Sequence, residues 1–152
     1  MPLFSGVSVE RVIPSPPGPI FDVLADPRRH REIDGSGLLR DSFEGPDRLS
    51  LGAQFGMDMR AGAPYRMINT VVEFEHERLI AWQPRPAAGV VSRVIGGRIF
   101  RYELEPVPDG TRVRETWDIS QERIPALVIG LQGLTRSGMT RSLERLERIV
   151  TA

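Results

Sequence analysis

Apolar and polar residues alternate with a period of two through most of this chain, and only its last thirty or so positions switch to a period of three and four. Residues 5–13 (SGVSVERVI) alternate loosely and predict a first strand. Pro14-Ser-Pro-Pro-Gly-Pro19 cannot prolong it, because proline brings no N–H to a ladder. Ser15 is expected to cap a short helix with proline in its first turn, which places Ile20, Phe21 and Leu24 on one face. Asp26-Pro27 repeats the sequence of cap then proline and predicts a second short helix through Arg28–Glu32, ended by the turn Asp34-Gly-Ser-Gly37.

Strand patterns follow. Leu38–Phe43 reads as a weak strand. Ala53, Phe55, Met57 and Met59 alternate with Gln54, Gly56, Asp58 and Arg60. Tyr65–Glu75 is a long strand, and Leu79–Gln83 is next after the turn 75–78. In residues 98–105, Phe100, Tyr102 and Leu104 alternate with Ile99, Arg101 and Glu103. Pro108-Asp-Gly110 should join this strand to Gly110–Ser120 as a hairpin. Six or seven strands joined by short turns imply an antiparallel sheet. From Ile124 to Val150 the residues Leu127, Leu131, Leu134, Met139, Leu143, Leu146 and Ile149 recur at three and four, the mark of one long amphipathic helix. Its far face carries Arg136, Arg141, Glu144, Glu147 and Arg148. The expected fold class is α+β: a curved antiparallel sheet of six to seven strands wrapped on a long C-terminal helix, with two short helices after the first strand. No linker or internal repeat divides the chain, so residues 1–152 read as a single domain.

A twisted sheet cannot lie flat along one helix, so the gap between them holds large side chains or a cavity. Four features bear on that choice. Thr135, Gly138 and Ser142 fall on the helix face that carries Leu131, Leu134 and Ile149. Small and hydroxylated residues there either let helix and sheet approach closely or line a pocket. Glu115 shares a strand face with Val113, Trp117 and Ile119, and Asn69 shares one with Tyr65, Met67 and Val71. A buried amide without a partner costs several kcal/mol, roughly 2–7, and a buried carboxylate costs more. Glu115 therefore either pairs with an arginine such as Arg60 or Arg101, or bulges outward, or looks into a partly polar hollow. Residues 84–97 form a long Pro/Gly-rich connection with Val90, Val91, Val94 and Ile95, and 124–129 is apolar nearly all round. Either segment suits a lid over an apolar ligand, and homodimer contacts would explain them as well.

Composition narrows the function without naming it. Among 152 residues, 20 basic and 20 acidic side chains cancel, which leaves no global pull toward nucleic acid or an anionic membrane. Every basic residue is arginine; the bias fits a GC-rich coding sequence and carries no chemistry. The absence of cysteine excludes disulfides, thiol catalysis and cysteine-based metal sites, and fits a reducing compartment. No leader-like or membrane-spanning run is visible, so the expectation is a cytoplasmic monomer or small homo-oligomer, a homodimer included.

The pattern resembles the START-like, polyketide cyclase/dehydrase and lipid-transport superfamily (SRPBCC), which has the helix-grip fold. The resemblance covers almost the whole chain: SVERVIPSPPGPIFDVLADP, NTVVEFEHERLIAW and FRYELEPVPDGTRVRETWD, then the terminal helix. ExERLIAW and DGTxVxETWD look like the family's strand-turn landmarks; they mark the fold and not a reaction. The resemblance implies a hydrophobic cavity between sheet and helix. It carries over no catalytic residue, because members include binders, transfer proteins, cyclases and co-chaperone-like modules.

Candidate chemistry is sparse. The two histidines, His30 and His76, have no ligand spacing, so no metal and no cofactor is expected. His30, near Asp34 and Ser36, is a candidate to line the pocket entrance, but among Arg28, Arg29 and Arg31 it reads more readily as a surface residue. No Gly-x-Ser-x-Gly nucleophile motif is present. What remains is acid–base chemistry, with Glu115 as the candidate catalytic group, its pKa raised by burial. Tyr65, Tyr102 and Asn69 are candidates to orient a carbonyl, and Trp82 and Trp117 to stack on a planar ring, although the two tryptophans and Tyr102 serve equally as plain core. Phe55 and Met57, with Thr135, Gly138 and Ser142, complete the candidate lining. Three functions follow: binding of a hydrophobic small molecule, lipid or polyketide-like; a cyclase or dehydrase using Glu115; or a chaperone-like interaction module resting on the apolar segments.

Overall fold

The computed structural model describes residues 6–43, 45–87 and 96–152. Seven strands form one antiparallel sheet in the order β1-β7-β6-β5-β4-β3-β2. The strands are β1 (Gly6–Ile13), β2 (Leu39–Phe43), β3 (Gln54–Ala61), β4 (Ala63–Glu75), β5 (Leu79–Pro86), β6 (Ile99–Val107) and β7 (Gly110–Asp118). Two short helices, α1 (Pro17–Leu24) and α2 (His30–Ile33), follow β1, and the long helix α3 (Gln132–Thr151) closes the chain. The sheet curls into a half-barrel around α3, the helix-grip arrangement.

Sequential hairpins β2 to β7 account for the meander, and β1 joins at the far edge by pairing with β7. The β6–β7 hairpin closes at Val107 opposite Gly110, as the Pro-Asp-Gly turn predicts. Gly110 has φ +142, and a Cβ there would lie 2.1 Å from the Ile13 carbonyl oxygen, so the turn needs glycine. A bulge between Val71 and Glu73 slips the register of β4 on β5, and a bulged strand bends and twists more.

Four local expectations change. Ser15 is not a side-chain cap: α1 starts from Pro16, and the Ser15 hydroxyl donates to the Pro16 carbonyl oxygen. Asp26 does cap, accepting from the Arg28 N–H at 3.0 Å, although the turn it opens is 3₁₀ before α2 begins. β5 continues through Pro84 and Pro86, residues expected in a loop. The prolines are tolerated because the β5–β6 ladder ends at Trp82 opposite Phe100, which leaves β5 with β4 as its one strand partner among the described residues beyond that point. Finally, 125–131 are two 3₁₀ turns, and α3 starts at Gln132, not Ile124. Pro125, Gly130 and Gly133 weaken helix continuity there.

The main core packs α1, α2 and α3 on the concave sheet through Ile13, Ile20, Phe21, Leu24, Val113, Leu143 and Leu146. A second cluster, Val7, Trp117, Ile119, Val128 and Met139, fills the end near the 3₁₀ turns. The outer face is polar; there Arg101 pairs with Glu73 through two hydrogen bonds of 2.8 Å and reaches Asp118 at 3.3 Å. No helix among the described residues is long and apolar enough to cross a membrane.

Candidate functional site

Between the concave face and the first half of α3 lies a cavity of about 1100 Å³. Its geometry follows from the alternation. Tyr102 and Glu115 are direct cross-strand partners on β6 and β7, and Phe100 and Trp117 are partners one step further along the same face. β3 and β4 bring Met57, Met59, Tyr65 and Met67. α3 supplies Thr135, Gly138, Met139 and Ser142, and the turn after α2 supplies Asp34 and Ser36.

Glu115 is 3% exposed, and its Oε1 has no hydrogen-bond partner. The alternatives of a salt bridge or an outward bulge do not apply: Arg101 stands opposite Thr116 on the other face and binds Glu73 and Asp118, and the β6–β7 register runs unbroken through Glu115. Burial pushes the Glu115 carboxyl up to about 8; a hydrogen bond from Tyr102 offsets part of this, and the negative charge of Asp34 adds to it. The Tyr102 phenol is pushed well above its ordinary value by its own burial and by Glu115. Asp34 is itself engaged: its carboxylate accepts from the Ser36 N–H and hydroxyl and from the Leu39 N–H.

An aromatic row stands beside this pair. Trp82 lies 5.5 Å from Tyr102 and stacks on His30 at 4.7 Å and 21°. Phe55 packs edge-on against both His30 and Trp82. His30 is therefore not the surface residue its arginine neighbours suggest. It is buried, lines the cavity and hydrogen-bonds the Leu24 carbonyl through Nε2 at 2.8 Å. Burial lowers its pKa to about 4, against the smaller raising effects of the Leu24 carbonyl and Asp26, so the ring is neutral near pH 7. The signal was present in the sequence, since His30 is three residues from Ile33 on a helix whose apolar side turns inward.

Of the candidate residues, Glu115, Met57, Tyr65, Trp82, Tyr102, Trp117, Thr135, Gly138 and Ser142 all line this cavity. Tyr65 does so from a half-exposed position. Phe55 and Asn69 do not. Phe55 supports the aromatic row from behind, and Asn69 is fully buried with both amide heteroatoms unpartnered. Val90, Val91, Val94 and Ile95 of the expected lid lie outside the described residues.

The small residues of α3 have a second role. Gly35 packs so closely on α3 that a Cβ would lie 2.1 Å from the Gly138 carbonyl oxygen. Ser142 Oγ accepts from the Gly35 N–H at 2.9 Å, Arg141 donates to the Gly35 carbonyl at 2.8 Å, and Arg145 donates to that of Asp34. The close approach at Gly138 and Ser142 is thus to the turn 34–37. Arg141, expected on the solvated face, helps to hold that turn and lines the cavity.

A family model described as polyketide cyclase/dehydrase and lipid transport matches residues 6–151. The chain belongs to that family. Protein Rv0088 of Mycobacterium tuberculosis is 34% identical over 132 residues, covering 86% of this chain and 54% of that protein. The chain therefore spans about half the length of the curated relatives it matches. Among solved structures, protein CV1439 of Chromobacterium violaceum superposes with a TM-score of 0.73 at 14% identity, covering 97% of this chain and 99% of that one. Protein MLL2253 of Mesorhizobium loti gives 0.70 at 21% identity, with 95% and 96% covered. An AHSA1-like protein of Aeromonas hydrophila gives 0.61 at 20% identity, with 95% and 91% covered. At these identities the structural likeness speaks for the fold. The family is described by cyclase, dehydrase and lipid-transport roles, which supports a ligand-binding role without choosing a ligand.

Proposed function

We propose that this protein binds a hydrophobic small molecule, lipid-like or polyketide-like, between the sheet and α3, with no covalent bond made or broken. The observation that supports this reading is the cavity: about 1100 Å³, with most of its lining surface supplied by apolar atoms of methionines, aromatic rings and aliphatic side chains. That is the upper end of the size range of small-molecule sites. A ligand that buries roughly 200 Å² of apolar surface there gains about 5 kcal/mol. The ligand-binding unit is proposed to be residues 1–152, acting in the cytoplasm as a monomer or homodimer. Native mass spectrometry of the protein from its own host is expected to show a bound apolar molecule. Thr135→Trp, which fills space beside Gly138 and Ser142, should expel it. A wild-type chain that carries no such molecule and takes up no apolar dye would refute the proposal.

A second reading, a cyclase or dehydrase, is favoured by one observation: a cavity-lining carboxyl that titrates at about 8 is suited to pass a proton near neutrality. Glu115 would be the acid–base group, and Trp82 and Trp117 would hold a planar intermediate. Turnover of a cyclisable poly-β-ketone that survives unchanged in Glu115→Gln would end this reading.

A further inference from the structure

The polar end of the cavity is chemically narrow. Glu115 and Tyr102 face each other across β7 and β6, with apolar Val9 of β1 as the other cross-strand neighbour of Glu115. Besides Glu115, the charged and titratable groups around the cavity among the described residues are Tyr102 on β6, Tyr65 and Arg66 on β4, Asp34 after α2, His30 on α2, Arg141 on α3 and Arg98 just before β6. Of these, only Tyr102 and Asp34 act on Glu115, and neither is a cation. A carboxyl buried without a cation keeps its proton. A neutral carboxyl and a phenol carry one O–H donor each. One is used in the contact between the two side chains, and the other has no partner among the described residues, as the orphaned Oε1 shows.

We propose that Glu115 and Tyr102 form a donor site for a neutral carbonyl oxygen, so that the ligand class is apolar ketones, quinones or enones, not fatty-acid carboxylates or amines. The inference rests on the binding function proposed above and narrows it. A carboxylate placed at this end would lie near Asp34, and among the described residues no cation acts on Glu115 there. An amine would need Glu115 ionised, which its burial opposes, and Asp34, the one other lining carboxylate among the described residues, is already held by Ser36 and Leu39. A carbonyl accepts the spare O–H and asks for no charge. Beside the pair, the Trp82 ring offers a flat surface for a conjugated body.

The test uses three fluorescent naphthalenes with the wild-type chain: the ketone 6-propionyl-2-dimethylaminonaphthalene, the same molecule without its propionyl group, and the corresponding 6-carboxylate. At pH 6.5 the ketone is expected to bind at least tenfold more tightly than either of the others. A site that needs protonated Glu115 weakens by the factor 1 + 10^(pH − pKa). With a pKa of about 8, affinity for the ketone should fall roughly 30-fold by pH 9.5, while the compound without the ketone should show no such fall. Glu115→Gln retains a donor and should keep ketone binding within about threefold while abolishing the pH dependence; Glu115→Leu should erase the preference for the ketone. Equal binding of the ketone and the compound without its propionyl group, or tighter binding of the carboxylate, would overturn the inference and leave the cavity function standing. Failure of all three probes to bind would count against the cavity function itself.

Discussion

Glu115 makes the stability of this protein depend on pH in a direction opposite to that of most carboxylates, and the size of the effect can be worked out. In the fold its carboxyl titrates at about 8; the reference value for an exposed glutamate is 4.5. Between those values the folded chain holds a proton that the unfolded chain has released, so stability declines as pH rises through the window and levels off above about 8. Each pH unit in the window costs about 1.4 kcal/mol, so the interval from pH 5 to 8 amounts to about 4 kcal/mol, a large share of the ~5–15 kcal/mol typical of a domain. His30 runs the other way. Its ring titrates at about 4 in the fold against 6.5 in the reference, so it adds stability as pH rises between those values. The two slopes nearly cancel from about 4.5 to 6.5, and from these two groups wild-type stability should be flat there and then fall. Urea unfolding followed by the fluorescence of Trp82 and Trp117, from pH 5 to 9, tests this in wild type and Glu115→Gln. The variant's advantage over wild type should grow by about 4 kcal/mol between pH 5 and 8, equivalent to about 8–16 °C in melting temperature. A stability difference that stays constant across this range would show that Glu115 is ionised in the fold and would refute the reasoning.

Three further predictions follow from the same contacts. His30→Phe keeps a ring against Trp82 and Phe55 but cannot take up a proton, so the loss of stability between pH 6.5 and 4 seen in Glu115→Gln should shrink by about 3 kcal/mol in the double variant, measured by the same unfolding series. Gly35→Ala should cost about 3 kcal/mol by forcing the turn 34–37 off α3, whereas Gly138→Ala, whose added Cβ meets Ser36 at an ordinary 3.5 Å, should be neutral or stabilise by about 1 kcal/mol; thermal melts distinguish the two. Arg101→Met leaves Glu73 and Asp118 without their shared partner on the outer face and should cost about 1–2 kcal/mol without altering ligand affinity, read by urea unfolding beside dye titration.

Much of this architecture is written in local chemistry. Period-two alternation reveals a strand wherever one side of it is buried, and the Pro-Asp-Gly110 turn fixes the β6–β7 register, so the placement of Glu115 beside Val113 and Trp117 on the inward face could be read before any fold was known. The long helix was legible for the same reason, but its start was not, because 125–131 form 3₁₀ turns, from which Val128 packs into the second core cluster and Leu131 lines the cavity. Leu134, 75% exposed, shows the ambiguity: an apolar residue in phase with a helix face need not be covered by anything.

What the sequence could not decide were relations between segments distant along the chain. Asn69 and Met67 have the same local pattern, yet one is sealed behind the wall and the other lines the cavity, since strand curvature and the bulge at Val71–Glu73 determine which inward side chains reach the hollow. His30 is buried because Trp82, fifty-two residues later, offers a ring for it to stack on. Gly138 faces a tight backbone approach because Gly35 arrives there from the other end of the chain. Periodicity reports which face of an element is apolar; the partner that covers that face, and the space left between them, depend on how a twisted sheet and a straight helix meet, which is a property of the assembled fold.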